Sequence, residues 1–123
     1  ELESKGHEVE LTGIFYHLGE NDMSFHPYRK QAAERLQAII AQSRKDLERP
    51  ALKWYVSQQP PTDDKSVNNI DVVANIAMAA AADPTLIHLK AFNLPSQEKK
   101  LVISTAGIVE LGEFIAKSYL GDQ

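Results

Sequence analysis

The 123-residue chain is long enough for a single domain with its own core, and its 43% hydrophobic and 24% charged residues are those of an ordinary globular protein. A net charge of -4 without a basic stripe argues against a nucleic-acid partner. The absence of cysteine excludes disulfides and thiolate metal sites, but it does not indicate the cellular compartment. No apolar stretch is long enough for a membrane span.

Strands and helices alternate along the predicted chain. Apolar and β-branched runs predict strands over residues 11–16, 53–57 and 85–89, and helical spacing of apolar residues predicts helices over residues 27–47, 66–82 and 105–120. Prolines and polar turns separate these elements. The β-α-β-α-β-α order predicts one α/β domain over residues 1–123, with a parallel sheet between two helical layers.

Ligands of such sheets bind beyond the carboxyl ends of the strands, which places a site among the loops 17–26, 58–65 and 90–103. In the first of these, Gly19, Glu20 and Asn21 form a glycine-containing polar turn. Such a turn supplies backbone amides and a side-chain amide of the kind an oxyanion hole requires. An ordinary turn, in which Asn21 or Asp22 bonds its own backbone, remains the alternative from spacing alone.

Residues 13–22 resemble the Trp-His-Gln-Gly-Glu-Ser-Asp segment of sialate O-acetylesterase-like members of the SGNH (GDSL-type) hydrolases. Residues 54–60 are similar to a later strand of that family, and residues 104–116 to its C-terminal block with a Thr-x-Gly turn. The resemblance implies a three-layer, flavodoxin-like parallel sheet. It also implies that this chain corresponds to the C-terminal portion of a carbohydrate esterase domain, with the sheet incomplete.

The chain departs from the family pattern at the positions that carry chemistry. We find no Gly-Asp-Ser-type block with the nucleophile, and the Asp-x-x-His block aligns with Lys99 and Val102. Neither residue can act as the base or orient it. Leu18 stands where the family has the glutamine of Gln-Gly-Glu. No complete catalytic set is therefore predicted, and Gly19, Glu20 and Asn21 remain as candidates for the oxyanion loop.

Other residues offer no local signature of an activated nucleophile. Ser57 and His88 lie near predicted strand ends, without a Gly-x-Ser-x-Gly elbow. His17 and His26 flank an acidic loop, but their spacing matches no zinc signature. We therefore expect no metal and no cofactor.

Three functions remain open from the sequence. The first is an SGNH-type carbohydrate (acetyl) esterase-like domain that is non-catalytic as an isolated chain. The second is an active ester hydrolase whose nucleophile is supplied from upstream of Glu1, where any targeting segment would also lie. The third is a diverged carbohydrate-binding or interaction module, in which Trp54 or Tyr55, on alternate faces of one strand, could stack on a sugar.

The expected partners follow from these three functional hypotheses. An acetylated carbohydrate is the expected ligand. A truncated parallel sheet leaves an apolar edge or face uncovered, which predicts association with a second copy or with an upstream N-terminal segment.

Overall fold

The computed structural model describes residues 1–19, 26–58, 72–89 and 104–121, except the side chains of His26 and Pro27. Six elements follow a short 3-10 turn: β1 (Gly13–Leu18), α1 (His26–Asp46), β2 (Lys53–Gln58), α2 (Val72–Ala82), β3 (Leu86–His88) and α3 (Thr105–Gly121). The alternating α/β prediction is confirmed. The first part of the predicted 66–82 helix, before residue 72, lies outside the described residues.

The three strands form a parallel sheet in the order β1-β2-β3. β1 continues two residues beyond its predicted end, because His17 and Leu18 still pair in register with Ser57 and Gln58. Gly13 begins this strand in close contact with β2: a Cβ there would lie 3.1 Å from the ring of Tyr55. An alanine there would require the Tyr55 ring to shift by a few tenths of an ångström.

The main core lies between the sheet and the helices α1 and α2. Strand alternation directs Leu18, Trp54, Val56 and Leu86 to this face. There they meet the apolar sides of the two helices, through Ala32, Leu36, Ile40, Val72, Ile76 and Ala79. The indole Nε1 of Trp54 donates to Ser43 Oγ at 3.2 Å, so the buried ring has a polar partner.

The helix α3 covers the opposite face of the sheet. Its Tyr119 ring lies 5.7 Å from both Phe15 and Tyr55, whose own rings stack at 5.0 Å. Ser104 caps the helix by accepting a hydrogen bond from the Gly107 amide at 3.2 Å. The two helical faces confirm the three-layer arrangement, with a sheet of three strands among the described residues.

The end of α1 is also explained by local chemistry. Glu48 adopts a left-handed conformation (φ 53°), and the Arg49 amide donates to the carbonyl of Arg44 at 2.9 Å. This is the arrangement that closes many helices, although glycine is the usual residue at the left-handed position. The helix therefore stops before Pro50, as its sequence predicts.

Candidate functional site at the carboxyl ends of the strands

Four polar side chains occupy the carboxyl ends of the three strands: His17 on β1, Ser57 and Gln58 on β2, and His88 on β3. We call them the strand-end cluster. Parallel pairing brings them together, because His17 lies opposite Ser57 and His88 lies opposite Val56, two positions before Gln58. The central strand thus contributes one member of each polar pair.

The first pair lies on the sheet face that α3 covers. His17 Nδ1 and Ser57 Oγ are 2.8 Å apart, within hydrogen-bond distance. Ser57 is fully buried, with an exposed fraction of 0%. The other ring nitrogen, His17 Nε2, is buried and has no hydrogen-bond partner among the described residues. Burial disfavours the charged imidazolium and so lowers the pKa of His17.

The second pair lies on the face covered by α1 and α2. His88 Nε2 donates to Gln58 Oε1 at 2.8 Å, since an amide oxygen can only accept. Gln58 is 1% exposed, and its Nε2 group has no hydrogen-bond partner within the described ranges. Burial also lowers the pKa of His88. Each face of the sheet therefore ends in a histidine pair with one buried nitrogen group that no other described residue contacts by a hydrogen bond.

The amino ends of the strands are built differently, from fully paired groups. Arg44 on α1 donates to Asp83 Oδ2 at 2.6 Å, to Thr85 Oγ1 at 2.6 Å and to the Leu52 carbonyl at 3.1 Å. The Thr85 amide and hydroxyl donate to Asp83 Oδ1 at 2.9 and 2.6 Å. Burial alone would raise the pKa of Asp83, but these bonds hold it below its ordinary value. This end of the sheet is a stabilising network.

The family model for "carbohydrate esterase, sialic acid-specific acetylesterase" matches residues 1–121, which is nearly the whole chain. The chain belongs to this family. A solved structure of a protein from Arabidopsis thaliana is similar in fold, with a TM-score of 0.69 and 20% sequence identity. That match covers 95% of this chain and 46% of the Arabidopsis chain. The comparison with curated proteins gave no match.

The residues predicted to form an oxyanion loop fall partly within the described residues. Gly19 directly follows β1 and is half-buried, while Glu20 and Asn21 lie outside the described residues. A Cβ at Gly19 would meet no atom within 4 Å, and its φ does not lie in the left-handed region. The conformation of Gly19 itself therefore does not require glycine.

The structure explains one departure from the acetylesterase pattern. Leu18, at the position of the family's glutamine, is 2% exposed and packs in the main core. Its side chain points to the α1 and α2 face, so it adds apolar contact where the family has an amide. Lys99 and Val102, which align with the family's orienting carboxylate and base respectively, lie outside the described residues.

Sequence reasoning considered His17, Ser57 and His88 separately and did not select Gln58. The sequence signal for this cluster was a polar residue at the end of each strand, but only the strand register shows which of these residues lie opposite one another.

Within the described ranges, no group of three or more acidic or histidine side chains is placed to hold a metal ion. None of the described helices is both long enough and apolar enough to span a membrane.

The two partly buried histidines, His17 and His88, predict a loss of stability in acid. Their folded-state pKa values lie below the ordinary 6.5, so in the pH range beneath 6.5 the unfolded chain binds more protons than the folded chain. The free energy of unfolding is expected to fall as the pH drops from about 6.5 towards the lowered values. Urea titrations of the chain at a series of pH values measure this slope.

The matched comparison uses His17→Gln and His7→Gln. His7 is exposed near the amino terminus, whereas His17 is in the strand-end cluster. The His17→Gln variant should show a shallower loss of stability in acid than His7→Gln. Identical acid profiles for the two variants would contradict the assignment.

Proposed function

We propose that this chain, by itself, is an esterase-type scaffold that does not hydrolyse esters. The observation that carries the proposal is the burial of Ser57, the serine that lies beside a histidine ring. A serine nucleophile must reach the acyl carbon of its substrate while an adjacent base takes its proton. Ser57 has a candidate base at 2.8 Å but an exposed fraction of 0%, so substrate has no access to its hydroxyl.

Among the described residues, the His17–Ser57 pair has no third member of a catalytic triad. A carboxylate or comparable group normally bonds the second ring nitrogen and holds the imidazole in the reactive orientation. His17 Nε2 has no hydrogen-bond partner in the part of the chain that the structure describes. This geometry therefore favours a structural role for the His17–Ser57 hydrogen bond over a role in proton transfer from a nucleophile.

The remaining described serines have structural hydrogen bonds. The hydroxyls of Ser4, Ser43 and Ser118 donate to backbone carbonyls, and Ser104 caps α3. Ser24, Ser66 and Ser96 lie outside the described residues. None of the described serines supplies an activated nucleophile. This supports the hypothesis of a non-catalytic scaffold over the hypothesis that this chain alone forms a complete hydrolase.

The carbohydrate-binding alternative has one supporting and one opposing observation. The unpartnered Nε2 groups of His17 and Gln58 lie at the end of the sheet where α/β domains hold ligands. Trp54 and Tyr55, however, are 3% and 1% exposed, so neither ring can stack on a sugar. Retained binding of acetylated glycans that is lost in the Glu20→Ala variant would favour this alternative.

Hydrolysis of a chromogenic acetyl ester tests the proposal. The parent chain, Ser57→Ala and the double variant Lys99→Asp, Val102→His should all remain at the uncatalysed rate across neutral pH. The double variant restores the family's base and carboxylate in sequence, but Ser57, the strand-end serine among the described residues, stays buried, so that base still lacks an accessible nucleophile at a described strand end.

Two results of this assay would contradict the proposal that the chain does not hydrolyse esters, each in a different way. Saturable turnover by the parent chain that Ser57→Ala abolishes would show that Ser57 becomes accessible and reacts. Turnover that Ser57→Ala leaves intact but another serine-to-alanine change abolishes would place the nucleophile elsewhere in the chain.

A further inference from the structure

The helix α3 leaves most of its apolar surface uncovered. Gly107 is its only buried residue among those described, and its four large exposed apolar residues are Ile108, Val109, Phe114 and Leu120. Leu120 is 70% exposed and Val109 57%. A helix lying on a sheet normally has one apolar side and a polar outer side. The composition of α3 is instead that of a helix packed on two sides.

Two of these residues belong to a stripe on the side of α3 that faces away from the sheet. At about 100° per residue, Val109, Gly112, Ala116 and Leu120 share one side, which we call the outer stripe. Gly107, the buried residue of α3, lies on the opposite side of the helix, and Tyr119, whose ring packs on Phe15 and Tyr55, lies about 100° from Leu120 and borders the stripe beside Gly112. The contacts of Tyr119 with the sheet therefore do not account for the exposed Val109 and Leu120.

We propose that the outer stripe is a two-fold interface in which α3 packs antiparallel against α3 of a second copy of this chain. The stripe is self-complementary. Val109 and Leu120 lie at equal distances from its midpoint, between residues 114 and 115, with Gly112 and Ala116 inside them. A two-fold rotation there places Val109 opposite Leu120 and brings the small residues together, which permits close approach of the helices.

Charges beside the stripe favour the same arrangement. Glu113 and Lys117 border the outer stripe on one side, and both side chains are exposed. Neither forms an ion pair with any other described residue. The antiparallel rotation brings Glu113 towards Lys117 of the partner subunit, and the symmetry creates this pairing twice. Opposite charges at the rim select the orientation more than they add affinity.

The mass of the full chain in solution, followed by sedimentation equilibrium from micromolar to millimolar concentration, tests the interface. We expect a reversible dimer, and Leu120→Glu should weaken its association at least about tenfold, because the symmetry buries two such charges. Met78→Glu is the matched control, since Met78 on α2 is also 70% exposed. Both changes are on the surface, so circular dichroism should show both variants folded.

A charge-swap series tests the orientation. Glu113→Lys and Lys117→Glu should each weaken the dimer, and the double variant should restore it, because the opposite charges again meet across the two-fold axis. A wild-type chain that is monomeric at millimolar concentration would overturn the proposal. So would a dimer that Leu120→Glu and Met78→Glu affect equally, which would place the contact elsewhere, such as the outer edge of β1. A double variant as weak as the single variants would overturn the antiparallel orientation.

Discussion

Replacing Arg44 with alanine is expected to lower the free energy of unfolding by about 2–3 kcal/mol. The guanidinium bonds Asp83, Thr85 and the Leu52 carbonyl, and so joins α1 to the start of β2 and to the turn before β3. Removing it leaves the Asp83 carboxylate without its charged partner. The Arg44 side chain is 14% exposed and that of Asp83 is 31% exposed, which places the loss below that of a fully buried pair.

Chemical denaturation measures this loss, and Lys45→Ala is its matched control. Lys45 is the next residue of the same helix and carries the same charge, but it is exposed. Its replacement should change stability by no more than about 0.5 kcal/mol. Arg44→Lys should remain well below wild type, because an ammonium cannot reproduce the planar fork that serves three acceptors. Equal stability of Arg44→Ala and Lys45→Ala would show that the network contributes nothing.

Truncating Ile76 to alanine is expected to have the largest effect on stability, a loss of about 2–5 kcal/mol. Ile76 on α2 is 0% exposed and packs in the main core. The variant loses the transfer free energy of three carbon atoms and leaves a cavity that the sheet and α1 cannot fully close. Val56, also 0% exposed, belongs to the same core on the central strand.

Met78→Ala provides the control for that variant. Met78 is two positions further along α2 and 70% exposed, so its truncation removes little buried surface. Its effect should be within about 0.5 kcal/mol. Urea unfolding followed by tryptophan fluorescence suits both variants, because Trp54 lies in the same core. A smaller loss for Ile76→Ala than for Met78→Ala would contradict the placement of α2 on the sheet.

Periodicity along the chain was sufficient to predict the order and type of the elements. The predicted second strand differs from β2 by a single residue, and the predicted first and third helices differ from α1 and α3 by one residue at each end or less. These predictions succeed because apolar spacing follows from which side of an element is buried. The family also followed from sequence, through residues 13–22, 54–60 and 104–116, and the match over residues 1–121 confirms it.

The candidate site was predictable only in its location. The oxyanion-loop residues Glu20 and Asn21 lie outside the described residues, and their proposed role stays a prediction. The end of β1 was placed too early, because the pattern from Val9 to Tyr16 contains no information about the partner strand. Pairing with β2 extends the strand through His17 and Leu18.

The sequence by itself determined the alternation of strands and helices, the parallel sheet and the departures from the family's sequence pattern, because each can be read from short segments. Only the tertiary structure decided which polar groups meet. His17 and Ser57 are 40 positions apart, Gln58 and His88 are 30 apart, and Arg44 and Asp83 are 39 apart. Strand register and helix packing bring these pairs within hydrogen-bond distance, and both depend on contacts between segments that no local pattern specifies.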